Sequence, residues 1–156
     1  MTPMFRAFIA AALVASPVSA FAANDVAVVS EMFVENTVVQ AGKPKVVLVK
    51  QKSGPPGTKL VFTHSYRNGG KAPATNFAMT NPIPSGVDYV GSDDAIAVVS
   101  VDGGKSFGQL ALAKVRATDG TSRAARPEDV THVRWALKAP IAVGGTGKFS
   151  FKGVVK

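Results

Sequence analysis

The strongest constraint on the fold is a two-residue alternation: Leu60, Phe62, His64 and Tyr66 are separated by Val61, Thr63 and Ser65, with Arg67 closing the run. Successive strand side chains point to opposite faces, so this spacing puts one set inward and the other, Thr63, Ser65 and Arg67, outward. The pattern returns in Thr131, Val133, Trp135 and Leu137 against His132, Arg134 and Ala136, which sends the only tryptophan into the core. No stretch keeps a helical period for more than two turns, whereas Gly, Pro, Asn and Asp clusters repeatedly cut the chain into short runs. An all-β, antiparallel sandwich of about 7–9 strands is expected, with a barrel as the second choice.

The turns give the order. Residues 26–35 and 46–50 flank Gln40-Ala41-Gly42-Lys43-Pro44 and read as a hairpin, followed by a loop at Ser53-Gly54-Pro55-Pro56-Gly57, where two prolines cannot donate to a ladder. The central strand stops at Asn68-Gly69-Gly70. Short strands over 75–80 and 87–90 are joined by Asn81-Pro82-Ile83-Pro84-Ser85-Gly86, where Gly86 permits a positive φ. A strand over 96–101 meets the tight turn Asp102-Gly103-Gly104-Lys105, and Ser106 and Phe107 begin the return. Residues 110–115 read as a strand or a turn of helix, 118–129 as the longest loop, and Gly144-Gly145-Thr146-Gly147 leads into a closing strand over 148–155.

Residues 1–22, MTPMFRAFIAAALVASPVSAFA, combine one Arg, an uncharged run over 7–15, Pro17 and a small-residue end. That is the composition of a secretory signal peptide, with cleavage expected after Ala22 and Ala20 or Ala23 as alternatives. The run is shorter than the roughly 20 residues of a spanning helix, so no membrane insertion is expected after cleavage, and one domain should occupy residues 23–156. The product would be periplasmic or extracellular. A terminal Phe-Lys-Gly-Val-Val-Lys offers no hydrophobic tail for a lipid anchor.

Composition narrows the chemistry. The chain has no cysteine, which removes disulfides, thiolate nucleophiles and Cys-ligated metals. His64 and His132 fall on opposite faces of different strands and have no third histidine to complete a zinc site. Asp93, Asp94, Asp102, Glu128 and Asp129 lack the spaced ladder of a calcium loop. No Gly-x-Ser-x-Gly elbow or phosphate loop is present. No enzyme, cofactor or metal is expected. The motif residues Asn68, Gly86, Asp102, Gly103 and Trp135 carry structural duties.

Charge is the feature that exceeds composition. Lys and Arg number 18 against 10 acids, a net +8, or +7 once Arg6 leaves with the leader. Lys43, Lys45, Lys50, Lys52, Lys59, Arg67 and Lys71 follow one another without an acid between Asn36 and Val87, and Arg134, Lys138, Lys148, Lys152 and Lys156 do so after Asp129. On one sheet they would form a basic face for lipopolysaccharide or acidic polysaccharide; spread over edges they would instead deter aggregation.

The stretch PPGTKLVFTHSYRNGGKAPATNFAMTNPIPSGVDYVG, residues 55–91, resembles the bacterial surface and secreted-protein family known as domain of unknown function eleven. SVDGGKSFG at 100–108, RPEDVTHVRWAL at 126–137 and the final GGTGKFSFKGVVK are similar to segments of its single-domain secreted members. The likeness spans most of residues 26–156. It implies an immunoglobulin-like sandwich without shared enzymatic residues. The resulting expectation is a secreted, non-catalytic module with a structural or protein-interaction role in the envelope. The alternative is periplasmic binding of an anionic glycan through the basic face, and an envelope hydrolase comes third; no nucleic acid partner is expected.

Overall fold

A computed structural model describes residues 25–51 and 54–156, so the leader predicted over 1–22 and Lys52 lie outside the described residues. Within them the chain forms strands β1 (Val26–Gln40), β2 (Lys43–Lys50), β3 (Lys59–Asn68), β4 (Ala78–Pro82), β5 (Val87–Gly91), β6 (Val98–Ser100), β7 (Lys114–Arg116), β8 (Ser122–Ala124), β9 (His132–Ala136) and β10 (Thr146–Val155). Helical structure among the described residues is confined to two single 3-10 turns, Leu110–Leu112 and Pro127–Asp129. No helix among them is long and apolar enough to cross a membrane.

Five strands make one antiparallel sheet in the order β2-β1-β3-β10-β5, and three make a second in the order β4-β9-β6. The sheets face each other across a shared core. Leu60, Phe62, Tyr89, Phe149 and Phe151 come from the first sheet, Val99, Val133 and Trp135 from the second. Trp135 and Phe151 are wholly buried, and the Trp135 ring lies parallel to Phe149 at 5.4 Å. Phe62 stacks on Phe151 at 4.5 Å, so large side chains supplied by alternation fill the interior. The first sheet ends in open edges at β2 and β5, which makes the architecture a sandwich and removes the barrel alternative.

Several expectations need correction. The two facing sheets hold eight strands, within the expected 7–9, but residues 118–129 are not one loop: β8 lies among them and pairs with β7 as a separate hairpin. The side chains of β8 are all exposed, so no apolar alternation announced it. Bidentate Arg123–Asp129 contacts at 2.6 and 2.7 Å brace the segment instead. The strand expected over 75–80 starts at Ala78, preceded by a bridge from Ala74 to Ile141, and the return after Asp102 is a single bridge from Val99 to Gly108. On β3, Val61 and Thr63 face outward yet are buried at 7% and 9%, because central position surrounds them with β1 and β10.

Gly86 and Gly103 adopt φ of 81° and 78°. The Asp102 carboxylate accepts from the backbone N–H of Lys105 and Ser106 and from the hydroxyls of Ser100 and Ser106, which holds it ionised well below the usual carboxylate range. Asn68, 1% exposed, donates to the carbonyls of Ala72 and Ile141 and accepts from Gly70 N–H, tying the end of β3 to two loops.

Candidate functional site: uncovered strands at one side of the sheet

The β1–β2 hairpin begins from its turn. Ala41 and Gly42 both have positive φ, 51° and 73°, the conformation that matches a two-residue loop to the twist of its strands. Pairing then runs from Gln40↔Lys43 to Phe33↔Lys50. β3, on the other side of β1, pairs only as far as Val34. Among the described residues, 35–40 therefore have β2 as their only strand partner, and past the 54–59 loop that borders residues 34–37 the hairpin projects from the sandwich as an arm.

Such an arm cannot bury either face against the core, and its sequence is apolar on both. Residues directly opposite share a face. Val39, Val46 and Leu48 therefore lie on one face and Val38 and Val49 on the other, with exposures of 77, 59, 50, 41 and 42%. A free two-stranded ribbon is marginal in water, and an edge of this length and hydrophobicity is a template for another strand. Pro44, which has no N–H, and the flanking Lys43, Lys45 and Lys50 are devices that keep such an edge from indiscriminate pairing.

The seven basic residues singled out by sequence do not assemble into one surface. Lys50, Lys59 and Arg67 lie on the outer face of the large sheet, whereas Lys43 and Lys45 occupy the opposite face of the arm. Lys71 sits exposed in the loop after β3, and Lys52 is outside the described residues. The outer face also carries acids. Glu31 holds Lys50 at 2.7 Å, and Asp93 holds Lys152 at 2.8 Å, raising the lysine's pKa through that hydrogen bond. Lys45 donates to Gln40 at 2.8 Å. Arg67 and Lys148 have no ion pair among the described residues; they rim a groove of about 590 Å³ floored by Ala27 and Val29 with Ser65 and Thr146 at its sides. Lys148 belongs beside Arg67 through the pairing of β10 with β3, a proximity that only long-range register reveals.

The remaining chemical candidates are separated. His64 is 2% exposed, its Nδ1 2.8 Å from Ser30 Oγ, and burial lowers its pKa. His132 is half-buried on the second sheet beside Thr131. No group of three metal-ligating side chains occurs among the described residues. Asp94 accepts from the Ser150 backbone at 2.7 Å, and Asp129 is drawn down to about 2 by its hydrogen bond to Arg123 and by the Arg126 N–H. Each of these carboxylates ties backbone or pairs with a cation.

The hairpin was expected from the sequence, but its length and uncovered faces were not, although Val38-Val39 and Val46-Val47-Leu48-Val49 carried a signal. Continuous apolar runs on both faces of a hairpin leave apolar surface open unless something covers it, and among the described residues nothing buries these side chains. No family model, curated protein or solved structure matches the chain.

Proposed function

We propose that the chain is an exported, non-catalytic, immunoglobulin-like module of the domain-of-unknown-function-eleven type, and that it holds another envelope protein along edge strand β2. The reading is carried by the five uncovered apolar side chains of the arm, Val38, Val39, Val46, Leu48 and Val49. An extended segment added beside β2 would satisfy its free backbone groups while alternate side chains meet this surface. Because β2 bears Lys43, Lys45 and Lys50 and no acid, the matching segment has an apolar centre and acidic ends. Anionic-glycan binding has less behind it, since the basic residues divide between two faces. A hydrolase has less still, because Asp94, Asp102 and Asp129 are engaged by backbone donors.

Photo-cross-linking in the producing cell tests this directly. A photoreactive side chain at Val46 or Leu48 should capture one discrete envelope protein. The same probe at Val143, equally exposed at 54% but away from the arm, should not. Equal capture at all three positions, or none at any, refutes the assignment.

A further inference from the structure

A second edge lies on the same side of the sheet as β2. β2 ends at Lys50, opposite Phe33, so among the described residues 26–32 of β1 have β3 as their only strand partner. None of the turn and loop backbone hydrogen bonds among the described residues reaches them either. Seven residues at about 3.3 Å each leave roughly 23 Å of open strand. Val28 and Val29 on it are 40% and 60% exposed.

We propose that this edge pairs antiparallel with the same edge of a second copy, about a two-fold axis at Val29, independently of any docking on β2. In that register Val28 lies opposite Ser30, Ala27 opposite Glu31 and Val26 opposite Met32, so no like charges meet. Pairing β2 with itself about its centre would set Lys43 against Lys50. β2 also acts as a stop. With Val26 opposite Met32, Asp25 of the second copy already meets the end of β2 at Lys50, opposite Phe33, and sliding further along β1 would set Val26 where Lys50 sits.

Charge selects the second copy as occupant. Arg67 lies opposite Ala27 on the outer face and has no ion pair among the described residues. In the paired sheet the row across the junction reads Arg67, Ala27, then Glu31 of the second copy. Two strand spacings are about 9–10 Å, within the combined reach of an arginine and a glutamate side chain. The Ala27 methyl leaves the path between them open. Glu31 would then sit between Lys50 of its own chain, already at 2.7 Å, and Arg67 of the other. Two-fold symmetry makes the contact twice and joins two five-stranded sheets into one of ten strands. Arg67 and Glu31 are thereby assigned as the residues that set the register.

Sedimentation equilibrium on the purified exported protein, over a wide concentration range, reads the association. The wild type should pass from monomer to dimer. Val29→Lys, which places two ammonium groups at the axis, should remain monomeric with an unchanged circular dichroism spectrum. Arg67→Glu and Glu31→Arg should each weaken the dimer about tenfold or more, and the double variant should recover most of the loss. A wild type monomeric throughout, a dimer indifferent to Val29→Lys, or a double variant no tighter than the singles overturns the proposal. Because this edge is not the β2 edge, capture at Leu48 by cross-linking would survive that failure and identify which of the two readings had been lost.

Discussion

Acidification should destabilise the domain in a window set by one buried side chain. His64 sits on β3 against Trp135 and Phe151, with ring centroids at 5.6 and 6.0 Å. Its Nδ1 meets Ser30 Oγ, while Nε2 is buried without a partner. A proton added at Nε2 would place an unpaired charge among aromatic rings, so burial lowers the folded-state pKa. The unfolded chain takes up that proton near pH 6.5. Stability is therefore at its full value above about pH 6.5 and falls as pH drops toward the folded-state pKa, with a limiting slope of about 1.4 kcal/mol per pH unit. The lowered carboxylates Asp102 and Asp129 lose their contributions only below the ordinary carboxylate value of 3.8, so they do not change stability between pH 6.5 and 5. Urea unfolding followed by Trp135 fluorescence at pH 7.5, 6.5, 5.5 and 5.0 measures the effect, with His64→Phe as the control that keeps a ring and removes the titration. Wild-type stability should fall below pH 6.5 by up to about 1 kcal/mol over the first unit, and the variant should be flat. A flat wild type, or a slope retained in His64→Phe, refutes the reasoning.

Three further outcomes are expected. Gly153→Ala should cost about 1–3 kcal/mol in urea unfolding. The new methyl would stand 2.6 Å from Val87 Cγ1 and 3.0 Å from the Asp88 carbonyl, at the bulge where β10 pairs with β5. Asn68→Ala should cost about 2–3 kcal/mol by the same assay, because it strands Gly70 N–H and the carbonyls of Ala72 and Ile141. Leu48→Lys, on the exposed arm, should change stability by no more than about 0.5 kcal/mol while abolishing cross-linking from Val46.

The core was legible because half-buried strands write their orientation into alternate residues: Phe62, His64, Val133 and Trp135 all face the interior as their spacing requires. Turn chemistry was legible at Gly86 and Asp102 because positive φ and multiple acceptor contacts demand particular residues. The β8 half of the β7–β8 hairpin was not, because Ser122, Arg123 and Ala124 are all exposed and the segment is braced by Arg123 on Asp129 rather than by an apolar face. The basic surface failed for a different reason. Lys45 and Lys50 differ by an odd number of positions and so point to opposite faces of β2, a consequence of period two that charge counting overlooks. The open edge over residues 26–32 depends on where β2 stops relative to β3, and strand offset across distant segments leaves no mark in local sequence.

Amide hydrogen exchange, read strand by strand on the isolated protein, tests most directly that the proposed docking strand β2 is an uncovered edge rather than part of the packed body. β3 and β10, flanked on both sides, should exchange only through global unfolding, whereas Val46, Leu48 and Val49 on β2 should exchange orders of magnitude faster. Protection of β2 equal to that of β3 in the monomer would mean that the arm is already covered, and would contradict the account.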